Sequence, residues 1–140
     1  MLAWCLLLAT LVPLHAPELD SGRVCLLVET ESAGDPNAVS PVGAQGLAQI
    51  TGPAVLDALS VCPHLGWNPI ELDMFDPETN LVISLCYLRW LEARTNNWCE
   101  TLAGYNGGLR QVYRLRRKLP LARETQRYLQ RQGCDPGRRK

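Results

Sequence analysis

Apolar positions in this chain recur mostly at helical intervals. Val24, Leu27, Val28 and Glu31 fall at spacings of three, four and seven within Ser21 to Ser32, which predicts a helix carrying one carboxylate on its apolar face. Gly34, Asp35 and Pro36 are turn formers and should end that helix, since the residue before a proline leaves the helical region. Asn37 to Gly46 reads as irregular, with Gly43 and Gly46 supplying backbone conformations other residues resist. Leu47 to Leu59 resumes helical spacing but is interrupted by Gly52-Pro53, so a new helix is expected with Pro53 in its first turn. Cys62 to Asp73, with two prolines and a glycine, reads as loop.

Asp76-Pro77-Glu78 is a strong helix start: Asp76 can cap free backbone donors, Pro77 suits the first helical position, and Glu78 favours the positive end of the dipole. The helix to about Arg94 puts Leu81, Ser84, Leu85, Leu88 and Leu91 on one core stripe. A shorter helix, Asn97 to Gly104, should stop before Tyr105-Asn106-Gly107-Gly108, and Pro120 separates two more, Arg110 to Lys118 and Leu121 to Gln132. Apart from a small hairpin near Val39 to Ile50, no segment has the strand period. The expected fold is mainly α, one domain of 140 residues.

Composition fits a globular chain, 46% hydrophobic and 20% charged, but the net charge of zero hides a split. Met1 to Glu100 carries 12 acidic and 3 basic residues, and Thr101 to Lys140 carries 2 acidic and 11 basic. The basic third could face a wall polymer, a lipid surface or a nucleic acid, or be a solvated helix face. Met1 to Leu14 is nearly all apolar yet too short to span a bilayer, which takes about 20 apolar residues. It is the hydrophobic core of a secretory signal ending near Ala16, or a first core helix; no Lys or Arg precedes it, and Pro17 sits badly after the cleavage site. Six cysteines permit three disulfides in an oxidising compartment. Cys62, Cys86, Cys99 and Cys134 form the expected pairing set, with Cys25 an inert core thiol. No Cys-x-x-Cys or His-containing ligand spacing appears, and the only histidines, His15 and His64, are far from any such cluster, so a structural zinc site is not expected.

The candidate chemistry lies in Glu31. A carboxyl held against hydrocarbon loses hydration of its charged form, which raises its pKa toward values useful to a general acid. Ordinary glycosidases pair two carboxylates. Glu29, two residues away, points to the opposite side of the helix. Asp35, Asp73 and Asp76 each read well as turn or cap residues. The pattern favours one catalytic carboxyl without a clear partner.

Several separated motifs then recur together: Glu31-Ser32, Asn37-Ala38-Val39-Ser40-Pro41 with Gly43-Ala44, Gly46-Leu47-Ala48-Gln49, Asp76-Pro77-Glu78-Thr79-Asn80-Leu81 with Tyr87-Leu88, and Leu102-Ala103-Gly104-Tyr105-Asn106-Gly107-Gly108. Over roughly Leu19 to Leu129 the chain resembles the lytic transglycosylase (SLT) domain, a relative of goose-type lysozyme. The resemblance implies a lysozyme-like helical domain over 17–132, preceded by the 1–16 segment and followed by a basic tail, 133–140. It implies cleavage of the bond between N-acetylmuramic acid and N-acetylglucosamine in peptidoglycan by one glutamic acid. Glu31 protonates the glycosidic oxygen, the sugar's acetamido group assists, and the same carboxylate then takes the C6 hydroxyl proton as a 1,6-anhydro ring closes. Ser32, Gln49, Tyr105 and Asn106 match family positions around the substrate, and Trp67, in a loop beside Asn68-Pro69, is the best placed tryptophan for stacking on a sugar. No cofactor is implied.

Ala48 stands where the family usually has methionine, and Gly108 differs from the commoner proline continuation. Alternatives are hydrolysis, as in goose-type lysozyme, and a non-catalytic peptidoglycan-binding module. The expected setting is the periplasm, reached by the weak signal or as part of a phage virion, with a phage particle or a secretion or conjugation apparatus as possible partner. Nucleic acid and a stable membrane span are not expected.

Overall fold

A computed structural model describes residues 2–135. The chain forms two compact units, Met1–Trp90 and Leu91–Lys140. The sequence-predicted tail therefore falls partly outside the description: 136–140 lie beyond the described residues, as does Met1.

In the first unit α1 is Ala3–His15, α2 Ser21–Ser32 and α3 Gly52–Val61; α4, Pro77–Glu92, begins here. Two 3₁₀ turns, Pro63–Leu65 and Pro69–Glu71, lie in the stretch expected to be loop. Asp76 caps α4 as its sequence predicts: one carboxylate oxygen accepts the Thr79 N–H at 3.0 Å and the Thr79 hydroxyl at 2.7 Å. Those two bonds, the hydroxyl first, hold its pKa below the ordinary carboxylate range. From Asn80 to Cys86 every α4 residue is buried, so this helix is core on all sides rather than on one stripe.

The apolar N-terminal segment forms α1 and packs on α2, with Leu8, Leu11 and Val12 buried. Trp4 lies against Gly34, just past the end of α2, where an added Cβ would come within 1.9 Å of the indole. Cys5 is bonded to Cys25, so Cys25 is not the free core thiol expected from its place on α2. Cys62 pairs with Cys86 and, in the second unit, Cys99 with Cys134, both within the expected set. Each bridge closes a span of 20 to 35 residues, a loop size worth roughly 3 kcal/mol against the unfolded chain.

The expected hairpin reduces to two isolated antiparallel bridges, Val39 with Gln45 and Gln45 with Ile50. Leu47 to Ile50 is turn and bridge rather than helix, and after Thr51 α3 begins at Gly52 with a proline in its first turn.

The second unit holds α5 (Trp98–Gly107), α6 (Leu109–Arg116) and α7 (Arg123–Arg131), with α5 packed on both of the others. Asn97 caps α5, accepting the Glu100 N–H at 2.9 Å. The helix runs through Tyr105 and Asn106 instead of stopping before them, because the break comes at Gly108, whose φ of 80° suits glycine. Gly107 is required for a second reason: a Cβ there would meet Gln111 Cγ at 2.3 Å and Thr125 Oγ1 at 2.6 Å.

Glu100, only 7% exposed, holds this unit together, accepting the Asn96 N–H at 3.0 Å and pairing with Arg116 Nη2 at 2.8 Å and Nε at 2.9 Å. Burial alone would raise its pKa, but the Arg116 hydrogen bond, the Asn96 N–H and the Arg116 charge together lower it. A carboxylate whose folded pKa lies below its unfolded one adds stability above the unfolded pKa and loses it as pH falls through the folded value. The protein is therefore expected to lose thermal stability on acidification below about pH 4.5, the top of the ordinary carboxylate range. Glu100→Gln should lower Tm at neutral pH and flatten that acid limb; an acid limb as steep as the parent's would remove Glu100 from the account.

Candidate active site

Helix α2 sets the central side chain. Asp20 caps its start, accepting the Gly22 N–H at 2.8 Å and the Arg23 N–H at 3.3 Å. Val24, Leu27 and Val28 are fully buried, which fixes the face of the helix turned to the core. Glu31 follows Leu27 by one turn and Val28 by three residues, so it shares that face and is half-buried, whereas Glu29 is exposed.

The helix ends in a left-handed cap, Ala33 at φ 51° and Gly34 at φ 80°. Ser32 serves that ending. Its hydroxyl donates to the Val28 carbonyl at 3.3 Å and accepts the Gly34 N–H at 3.1 Å, fixing the turn beside Glu31.

From there the chain enters the loop that carries Gln49. Asp35 accepts the Asn37 N–H at 2.9 Å, and the Gly46 N–H donates back to the Ala38 carbonyl at 2.8 Å. Gln49 takes a φ of 54°, and its side-chain Nε2 donates to the Ala38 and Gly46 carbonyls at 3.1 and 3.0 Å. Both amide hydrogens are thus spent on the loop, and Oε1 is the end of the amide that can accept from a ligand.

The loop is held from below by Asn80, which is fully buried on α4. Its Oδ1 accepts the Ala48 N–H at 2.8 Å, while Nδ2 donates to the carbonyls of Gln45 at 2.9 Å and Met74 at 2.8 Å. Gly46 passes so close that a Cβ there would meet the Met74 carbonyl at 2.2 Å and Asn80 Nδ2 at 2.4 Å. Sequence reasoning gave Asn80 no role, although an asparagine directly before a run of core residues in a helix is a usable signal: a buried amide needs partners.

Trp67 follows Gly66, which has φ 62°, and is half-buried; Asn68 then caps the next 3₁₀ turn through the Ile70 N–H at 3.1 Å. Asp73 accepts the Phe75 N–H at 2.8 Å, so Asp35, Asp73 and Asp76 all serve turns or caps. Glu31, Ser32, Gln49 and Trp67 thus belong to the first unit, and Tyr105 and Asn106 to the last turn of α5 in the second. Both are half-buried, and Asn106 Oδ1 is buried with no hydrogen-bond partner among the described residues. Such an oxygen is costly unless something donates to it.

Among known families, the model of the transglycosylase SLT domain matches residues 13–124. The soluble lytic murein transglycosylases of Escherichia coli strain K12 and of E. coli O157:H7 are each 33% identical over 93 residues, 65% of this chain. The chain spans only 14% of the length of these curated relatives. The crystal structure of the 70 kDa soluble lytic transglycosylase from E. coli superposes with a TM-score of 0.63 at 24% identity, covering 89% of this chain and 18% of that one, a likeness of fold.

Proposed function

This chain belongs to the transglycosylase SLT family, and we propose that it is a peptidoglycan lytic transglycosylase with Glu31 as its one acid and base. The observation that carries the reading is the half-buried placement of Glu31 on the apolar face of α2, while Asp35, Asp73 and Asp76 are bound to backbone donors. A carboxyl set against hydrocarbon loses hydration of its charged form and is suited to donate a proton, whereas the three aspartates serve backbone turns and caps.

In the proposed cycle Glu31 donates its proton to the oxygen between N-acetylmuramic acid and N-acetylglucosamine as the C1–O bond breaks. The muramic acetamide assists at C1 in place of a protein nucleophile. Glu31, now a carboxylate, accepts the C6 hydroxyl proton while that oxygen bonds C1, so the proton count closes and no water is consumed. One group serving as acid and then as base works best with a pKa near the operating pH. Ser32, by holding the turn after Glu31, positions it. Gln49 Oε1 accepts from the sugar hydroxyls or acetamide N–H, and Trp67 offers a stacking face. In the second unit Tyr105 and Asn106 stand where the family has its Tyr-Asn pair, and Asn106 Oδ1 is free to accept from a glycan N–H or hydroxyl.

Among the described residues no helix is long and apolar enough to cross a membrane. Three disulfides suit an oxidising compartment, so we place the action of the enzyme in the periplasm. Mass spectrometry of fragments released from purified peptidoglycan tests the chemistry. Ring closure yields anhydro ends, lighter by one water than the reducing ends left by hydrolysis. Reducing ends alone would make the protein a hydrolase of goose-type character, and no soluble fragments at all would leave it a binding module.

A further inference from the structure

The two histidines, 49 residues apart in sequence, meet in the first unit. His15 Nδ1 and His64 Nε2 are 3.4 Å apart, and the rings lie nearly parallel at 19° with centroids 5.6 Å apart. Two ring nitrogens bound to one tetrahedral metal ion at about 2.0–2.1 Å stand roughly 3.3–3.4 Å from each other. The contact is a ring-to-ring hydrogen bond in which one nitrogen carries the proton, and its length equals the spacing of two nitrogens on one such ion once that proton is released.

Both rings sit on anchored backbone. His15 is the last residue of α1, and its carbonyl accepts from Arg89 Nη1 at 3.2 Å. The same arginine pairs with Glu18 through Nε at 3.4 Å and reaches Cys62 Sγ at 3.7 Å. His64 lies in the 3₁₀ turn Pro63–Leu65, which starts next to Cys62, itself bonded to Cys86. A ligand pair pinned at both ends loses little freedom on binding.

We propose that His15 and His64 form a divalent transition-metal site, for zinc, nickel or copper(II), the ions that imidazole nitrogen suits. Among the described residues no group of three or more His, Cys, Asp and Glu side chains is disposed to hold a metal. The site therefore takes two protein ligands, with water completing the shell, and is open and exchangeable rather than a closed structural centre. His15 is half-buried and His64 exposed, so an ion enters from the solvent side of His64. Binding would tie the end of α1 to the turn after α3 and stabilise the fold by mass action.

The test is calorimetric titration of the whole protein with zinc chloride and with nickel chloride, alongside thermal melts with and without the ion. The expected result is one ion per chain, a Tm that rises with zinc, and affinity about tenfold or more weaker in both His15→Ala and His64→Ala. His64 is exposed, so His64→Ala keeps the fold and the comparison stays sound. Binding in His64→Ala equal to the parent's would place the ion elsewhere and overturn the proposal. So would the absence of a one-to-one isotherm with the parent protein. Neither result bears on glycan cleavage by Glu31.

Discussion

Glu31→Gln is expected to abolish release of glycan fragments from peptidoglycan while leaving the protein folded and still bound to the wall. Glutamine keeps the shape and polarity of the side chain but has no proton to give and no basic oxygen to take one. Positioned acid–base groups contribute roughly 10² to 10⁴ in rate, and a residue used in both steps should stand at the upper end of that range. The site is half-buried, so stability should change by less than about 1 kcal/mol. Turnover assays with melts of the same samples separate the two effects. A folded Glu31→Gln variant that still turns over at the parent rate removes Glu31 from the mechanism.

The second large effect is expected from a residue that touches no substrate. Asn80→Ala deletes three hydrogen bonds at once, those to the Ala48 N–H and to the Gln45 and Met74 carbonyls, of which the Gln45 carbonyl keeps the Ile50 N–H at 3.0 Å. Asn80 itself is fully buried. At about 1–3 kcal/mol for each buried bond lost without a replacement, the total is roughly 2–4 kcal/mol after local relaxation. For a chain of this size that is a Tm lower by about 10 °C or more. Activity should fall as well, since the loop that Asn80 holds carries Gln49. Asn80→Asp is the informative companion: it keeps the acceptor for Ala48 N–H but sets a carboxylate against two carbonyls, so it should be no better than alanine. A Tm within 2–3 °C of the parent in Asn80→Ala, less than about 1 kcal/mol, would show that the loop holds itself.

Much of the helical plan was legible because its signals are local. The bounds of α2, the Asp76 cap of α4 and the breaks around Pro120 depend on residues within a turn or two of one another, and backbone donors at a helix start accept whatever cap lies next in sequence. The place of Glu31 on the buried face of α2 was readable for the same reason, since a 3.6-residue period fixes the face on which a side chain sits. The extension of α5 through Tyr105 and Asn106 was misjudged: a glycine pair marks a break but does not say which glycine makes it, and here Gly107 stays helical while Gly108, at φ 80°, makes the turn.

What the amino-acid order determined by itself was therefore most of the helices, the Asp76 cap of α4, and one carboxylate on the apolar face of α2. Only the folded chain decided that Asn80 would be the anchor of a loop 32 residues before it, that Cys25 would be joined to Cys5, and that His15 would meet His64. Period and capping are written within a few residues, where the backbone geometry is known in advance. A contact across dozens of residues exists only once burial of α1 and α4 has brought distant segments to the same place, and no spacing along the chain encodes it.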